Sequence, residues 1–377
     1  MDYGARISRA RQAMEQQGVD LLFLTPSANM QYLTGIHRER PNFGNVNYPG
    51  GWVYSTLIGR QKDPVVVAPR MVAEFDLPDA VRSNVRVLPE QGDAFSFMAG
   101  VLAEFGTIRR VAVENRAWAE AVLGLQELLP GVAFTLASTI LAPLRMIKDE
   151  EEIALMRHGA HLADQVFSAV LPLLKPGMTE LEVALEVDAQ QRRLGSEGPS
   201  FTTNVFMMGP GLDRDVREKV SDRKLVEGLS LSFDFGCVHA GYCSDFGRTV
   251  HIGEPPADFR RAYDRVIAAH DEAIRAMQAG RITAAEANAV ARKVIEDAGY
   301  GQHFRHRLGH GIGLDVHEGP FLTAGDETTL QTGMAFTVEP SIFWPGHVGT
   351  RIEDVVIVRP DGGENLNATS SALNIVG

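Results

Sequence analysis

The sequence predicts an α/β domain over residues 1–145, followed by an α+β domain over residues 146–377 that carries an internal pseudo-twofold repeat. Three observations lead there. The first part alternates short apolar runs with stretches of helical period, the rhythm of a layered α/β structure. Near residues 142–149 a proline-containing stretch gives way to an acidic helix start. Beyond it, helix-start signals and acid-bearing strands recur at a nearly constant offset.

In the first part, residues 19–24, 52–58, 65–67 and 110–113 read as buried strands, and residues 6–16 and 118–129 carry apolar side chains at helical spacing. No Gly-x-Gly-x-x-Gly or phosphate-loop pattern follows a strand, so this part reads as scaffold. Residues 37–51 (HRERPNFGNVNYPGG) form a long Gly-, Pro-, Asn- and Arg-rich loop, which suits a solvated surface loop, a lid or a contact element. At the boundary, residues 142–148 read as strand-like, and Asp149 with Glu150, Glu151 and Glu152 places negative charge at the N-terminus of a long helix expected to reach about Leu171.

The second part reads as built twice. Thr179-x-x-Glu182 is a capping box that opens a helix, and Thr283-x-x-Glu286 repeats it 104 residues later. After each helix comes an apolar strand bearing an acid, with Asp234 in the first copy and Glu339 in the second, 105 residues apart. A turn-like run and a second acid follow each, Asp245 and Glu353, 108 residues apart. An ionised carboxylate inside a strand of Phe, Val and Leu is too costly to bury alone. Four such groups meeting at a pseudo-twofold axis would repel or take up protons, unless one or two divalent cations held them. Surface pairs on separate hairpins are the other arrangement open to these acids.

Of eleven histidines, His310 and His317 lie in the Gly-rich run LGHGIGLDVHEGP at residues 308–320, between the two pairs of acids. Flanking glycines allow close backbone approach, and an imidazole there is suited to complete a carboxylate-rich metal site. His158, His161 and His270 fall on predicted helices and read as surface or packing residues. Cys237 and Cys243 lack a thiolate-ligand spacing and read as small buried side chains.

Composition narrows the function. A formal charge of −12 leaves no basic field for nucleic acid or an anionic membrane, so a small peptide or other small molecule is the expected partner. No apolar run approaches the roughly 18 to 20 residues of a membrane span, and Met1-Asp2-Tyr3-Gly4 does not begin a signal peptide. With two cysteines and no disulfide framework, a cytoplasmic location is expected.

At these residues the sequence resembles the pita-bread metallohydrolases, namely prolidase, aminopeptidase P and methionine aminopeptidase, with creatinase as a metal-free relative. The resemblance rests on Leu144-Arg145-Met146-Ile147-Lys148 with Glu152-Ile153, Asp234-Phe235-Gly236 through Ser244-Asp245, Gly309-His310-Gly311-Ile312-Gly313 through His317-Glu318-Gly319-Pro320, Val338-Glu339-Pro340, and Arg351-Ile352-Glu353-Asp354. The N-terminal domain points to the Xaa-Pro peptidase branch. The resemblance implies a pita-bread catalytic domain in which Asp234, Asp245, His310, Glu339 and Glu353 ligate two metals, with Asp245 and Glu353 bridging. It further implies a hydroxide between the metals attacking the Xaa-Pro amide of dipeptides or short peptides, Glu339 as proton shuttle, His317 hydrogen-bonding substrate, and Arg351 orienting the carboxylates. The oxygen-rich donor set suits manganese, with cobalt and zinc also open. Relatives are commonly dimers, so a homodimer is expected.

The family pattern fails in places. Arg217 stands where the Xaa-Pro peptidases usually carry a histidine, five residues before Asp222-Arg223-Lys224-Leu225, and Gly247 replaces the usual Thr before Arg248. Arg217 is suited either to bind a substrate carboxylate or to lie on the surface. His239, where relatives commonly have Tyr, either reaches the site or is a partly exposed structural histidine. A pita-bread enzyme turned to a non-peptide molecule, such as an amidohydrolase of the ectoine-hydrolase kind or a lyase, is the alternative. A silent binding module predicts eroded ligands, and none is eroded; creatinase-like chemistry is disfavoured by the complete ligand set.

Overall fold

A computed structural model describes residues 1–37, 50–214 and 220–377. Arg217 and most of the 37–51 loop lie outside the described residues. The chain divides into two compact units, Met1–Arg145 and Met146–Gly377.

In the first unit, the apolar runs form one six-stranded sheet. Its spatial order is Val85–Leu88, Val65–Pro69, Ser55–Gly59, Leu21–Leu24, Arg110–Val113 and Ala133–Leu136. Ser55–Gly59 is antiparallel to both neighbours and the remaining pairs are parallel. Leu21–Leu24 is buried at every position, as expected of a strand covered on both faces. The stretch expected as strand at 52–58 begins instead with a 3-10 turn, Gly51–Val53, entered through Gly50 at φ +78°. That turn places the Trp52 ring against Phe95 and over Gly124, where a Cβ would sit 3.1 Å from it.

The proline-containing stretch is a helix, Ser138–Met146, rather than a strand. Pro143 leaves the Thr139 carbonyl without its helical donor. Gln17 Nε2 replaces it, donating to Thr139 O at 2.9 Å. Asn115 secures the start of the helix by accepting from Ser138 N at 3.0 Å. A partner distant in sequence thus makes the helix tolerable.

The second unit opens with the helix Glu150–Val170 under a reciprocal capping box between Asp149 and Glu152. The two Thr-x-x-Glu boxes are likewise formed, at Glu180–Arg193 and Ala284–Asp297. The repeat extends to individual hydrogen bonds. Glu180 N donates to Arg223 O and Leu181 N to Ser221 O, while Ala284 N donates to Thr328 O and Ala285 N to Asp326 O. Each copy then supplies an antiparallel strand pair, Ser230–Phe235 with Phe246–Ile252 and Ala335–Val338 with Asp354–Arg359. The copies meet where Gly247 and Glu353 exchange backbone hydrogen bonds of 3.1 and 2.9 Å, the local expression of the pseudo-twofold axis. Two apolar clusters, one per copy, lie behind the strands, around Phe233 and Phe246 and around Phe336 and Val356.

Close backbone packing at the junction requires glycine. A Cβ on Gly309 would sit 1.9 Å from Thr337 O. Gly309→Ala is therefore expected to lower stability by about 3 kcal/mol, measured by urea unfolding, whereas Gly177→Ala, with open space around it and φ +90°, should cost about 1 kcal/mol.

Candidate metal centre

Strand ends and the turns between them bring the acids together. Asp234 lies near the end of Ser230–Phe235, Asp245 immediately before Phe246–Ile252, Glu339 immediately after Ala335–Val338, and Glu353 immediately before Asp354–Arg359. His310 sits in the short strand Gly309–Gly311, which pairs with Glu318–Leu322 and, through Gly311, with Phe336. All five side chains line one cavity of about 690 Å³, together with His317 and Arg351.

The geometry is tight. Ligand atoms of Asp245, His310 and Glu353 lie within 4.8 Å of one another, and all three residues are buried. His310 Nε2 is 3.5 Å from Asp245 Oδ2 and 3.7 Å from Glu339 Oε1. Its Nδ1 meets Gly311 O at 3.0 Å, and because a carbonyl can only accept, Nδ1 carries the proton and Nε2 is the atom turned to the carboxylates. Arg351 reaches three of the acids: NH2 lies 2.7 Å from Asp234 Oδ2, Nε 3.4 Å from Glu353 Oε2, and NH1 3.8 Å from Glu339 Oε2.

One guanidinium does not balance four carboxylates. Burial, reinforced by Asp245, pushes Glu353 well above the ordinary carboxylate range, and burial likewise raises Asp245. Burial pushes Glu339 up to about 7, with Arg351 opposing. Burial favours neutral His310, but Asp245 outweighs it and the imidazole is raised overall. Asp245 Oδ1 and Glu353 Oε2 are buried without a hydrogen bond. Orphaned carboxylate oxygens facing an imidazole nitrogen form a donor set that fits divalent cations.

Sequence reasoning missed His306, four residues before His310. Its Nε2 lies 2.6 Å from Ser341 Oγ and its Nδ1 2.7 Å from Arg307 O. Burial, with Arg351 nearby, brings its pKa down to about 4, so it faces Glu339, 3.8 Å away, as a neutral ring. Also missed were Arg307 and the aromatic wall of Phe201, Phe206 and Phe343. The His-x-x-x-His spacing was the available signal for the first; nothing local marks the rest. His239 is not among the cavity residues and stacks on His158 with ring centroids 3.9 Å apart. His270, read as a surface or packing residue, is buried and faces Asp354 Oδ2 at 3.1 Å. Cys237 and Cys243 are buried free thiols.

Two family models cover most of the chain. Residues 154–360 match metallopeptidase family M24, and residues 6–147 match the creatinase/prolidase N-terminal domain. The chain belongs to metallopeptidase family M24. An M24 relative described as a probable dipeptidase PepE, from Mycobacterium tuberculosis, is 34% identical over 99% of this chain and 96% of its own. The Xaa-Pro dipeptidase from Bacillus anthracis superposes with a TM-score of 0.86 at 29% identity, covering 100% of both chains. The prolidase from Thermococcus sibiricus does so with 0.89 at 27% identity, again over 100% of both. The pita-bread architecture with its N-terminal α/β domain is thus the fold of this M24 protein. Among the described residues, no helix is long and apolar enough to cross a membrane.

Behind the acids lies a second, self-neutralised network. Arg248 NH2 pairs with Asp354 Oδ1 at 2.7 Å, and Arg248 NH1 donates to Gly247 O and Glu353 O at 2.8 and 2.9 Å. Arg248→Met would leave Asp354 short of its charge partner and release the backbone on both sides of the pseudo-twofold junction. A loss of about 3–5 kcal/mol is expected, measured by chemical denaturation of the metal-stripped protein.

Proposed function

We propose that this M24 protein is a dinuclear-metal hydrolase that cleaves the Xaa-Pro amide bond of dipeptides or short peptides. The observation that carries the reading is the convergence of four carboxylates and the Nε2 of His310 on one cavity, with the buried oxygens Asp245 Oδ1 and Glu353 Oε2 lacking a hydrogen bond. Asp234, Asp245, His310, Glu339 and Glu353 would hold two divalent cations. The oxygen-rich set suits manganese, with cobalt or zinc as substitutes. Bound there, the ions would act as Lewis acids toward the amide carbonyl and make hydroxide available at neutral pH.

The chain's own residues do the rest. Glu339 takes a proton at its carboxylate and returns it to the departing proline nitrogen. His317, whose ring centroid lies 4.1 Å from that of His310, hydrogen-bonds the substrate beside the scissile bond. Arg351 holds Asp234 and Glu353 in place. Phe201, Phe206 and Phe343 offer an apolar wall suited to a pyrrolidine ring and exclude water. From sequence alone, Arg217 is a further candidate for substrate binding. The names of the relatives support a peptide substrate. Exposed Phe75 and Trp118 on the N-terminal unit support a homodimer, and the free buried thiols suit a cytoplasmic location.

A second reading, a pita-bread enzyme acting on a non-peptide molecule, is favoured by Arg217 in place of the usual histidine and by Gly247 in place of Thr. The manganese-loaded protein is expected to hydrolyse Xaa-Pro dipeptides, and Glu339→Gln, which removes a ligand carboxylate as well as the proton shuttle, to lower kcat by about 10²–10⁴-fold, measured at manganese concentrations that elemental analysis shows to restore occupancy. Two bound metals with no cleavage of dipeptides or longer Xaa-Pro peptides would favour the second reading.

The raised carboxylates set the pH behaviour of the metal-stripped protein. Asp245, Glu339 and Glu353 keep protons in the folded state that the unfolded chain has already released. Their stabilisation is full below the ordinary carboxylate range and lost as pH rises through their folded values, which for Glu339 is about 7. The thermal midpoint of stripped protein should therefore fall between about pH 5 and about pH 8. Added manganese should flatten that fall, bind more tightly as pH rises and release protons in calorimetry.

A further inference from the structure

The cavity holds two guanidiniums, and only one of them is spent on the protein's own acids. Arg351 is committed to Asp234, Glu339 and Glu353. Arg307 lines the same cavity, yet among the described residues it forms no ion pair. Its Nε is buried without a hydrogen-bond partner, and its guanidinium lies over the Phe321 ring, 4.8 Å from the centroid. Phe321 is itself fixed, because it pairs with His310 across the two strands. The Arg307 carbonyl accepts from His306 Nδ1, so the backbone at this point is also held.

A guanidinium keeps its proton at any working pH, and the half-buried Arg307 has a buried Nε with no acceptor in the protein. The Phe321 ring holds the guanidinium by a cation–π contact without neutralising it, and a guanidinium so held can take a carboxylate through two parallel hydrogen bonds. Among the described residues, the surrounding acids are engaged with Arg351 or turned toward His310, which leaves Arg307 available to an anion that a substrate brings.

We propose that Arg307, stacked on Phe321 and unpaired within the active-site cavity, is the anchor for a free carboxylate on the substrate and so determines specificity for substrates that carry one. The proposal rests on the peptidase reading for the identity of the cavity, but the binding it describes does not require turnover. Two sources of that carboxylate share the chemistry: the C-terminal carboxylate of a dipeptide and an acidic side chain.

The test compares Ala-Pro, Ala-Pro-amide and Glu-Pro-amide as substrates of manganese-loaded wild type, Arg307→Met, Arg307→Lys and Arg217→Met. Wild type is expected to favour Ala-Pro over its amide. Arg307→Met should lower kcat/KM for Ala-Pro by about 10 to 100-fold more than for the amide, chiefly through KM, the size of a lost hydrogen bond to a charged group. Arg307→Lys keeps the charge but not the fork, so an intermediate loss is expected, and it reads the proposal if the methionine variant fails to fold. A wild-type preference for Glu-Pro-amide over Ala-Pro-amide that Arg307→Met removes assigns the side-chain carboxylate as the source. A loss in Arg307→Met that is equal on Ala-Pro, Ala-Pro-amide and Glu-Pro-amide, or a discrimination that disappears in Arg217→Met and persists in Arg307→Met, overturns the proposal. Calorimetric binding of Ala-Pro, Ala-Pro-amide and Glu-Pro-amide to Glu339→Gln protein separates the two readings. A preference for either carboxylate-bearing peptide that vanishes on adding Arg307→Met upholds the carboxylate anchor even if wild type cleaves none of them. Equal binding of Ala-Pro, Ala-Pro-amide and Glu-Pro-amide overturns it even if wild type cleaves all three.

Discussion

Four carboxylates, Asp245 and Glu353 buried and Asp234 and Glu339 partly so, share one cavity with one committed guanidinium, and the resulting excess of negative charge is the constraint from which the rest of the second unit follows. Burial removes the water that would screen the acids, so each stays ionised only where a cation or hydrogen-bond donor reaches it. Arg351 reaches Asp234 at 2.7 Å but Glu353 only at 3.4 Å and Glu339 at 3.8 Å. The shortfall raises Asp245, Glu339 and Glu353, and it leaves the buried oxygens Asp245 Oδ1 and Glu353 Oε2 without donors. A protein that keeps such a pocket gives up stability there for a site able to bind cations, which is where functional strain is expected to collect.

The duplicated fold makes this crowding geometrically available. Each copy places one acid at a strand end and another just before the returning strand, and the copies join through the reciprocal Gly247–Glu353 hydrogen bonds. That junction tolerates little bulk. A Cβ on Gly247 would sit 2.8 Å from the Glu353 Cβ and 3.1 Å from Arg351 Nε, so the glycine found here in place of the family's usual Thr gives Arg351 and Glu353 their present closeness.

The acids were legible in the sequence because duplication writes a long-range relation as a local one: the same capping box, strand and acid recur at nearly the same offset, and spacing alone reveals them. His310 and His317 were legible because glycines surround them. His306 and Arg307 were not: the His-x-x-x-His spacing alone marks the first, nothing local marks the second, and their roles come from Ser341, Glu339 and Phe321, which only folding supplies. The misreading of residues 142–148 has the same origin. Pro143 argues locally against a helix, and the donor that resolves the objection, Gln17, lies more than a hundred residues earlier. His270 was read as a surface or packing side chain because nothing near it in sequence shows that Asp354 will be buried opposite it.

Glu353 and Asp354 show how finely the environment divides adjacent, similar groups. Both are buried, and burial by itself would raise both. Asp354 faces Arg248 at 2.7 Å and His270 at 3.1 Å and accepts from Asn365, so these cations outweigh burial and hold it well below the usual carboxylate range. Glu353, on the opposite side of the strand start, faces Asp245 and is driven the other way. A strand turns successive side chains to opposite faces, so one residue step is enough to move a carboxylate from a closed ionic lock to an open ligand position. The lock holds its charge internally and fixes the backbone at Glu353 through Arg248, while Glu353 itself, facing Asp245 with Arg351 Nε only at 3.4 Å, is driven toward its protonated form. Pairs of acids pushed apart in this way separate structural from chemical duty, and here the separation is set by strand alternation alone.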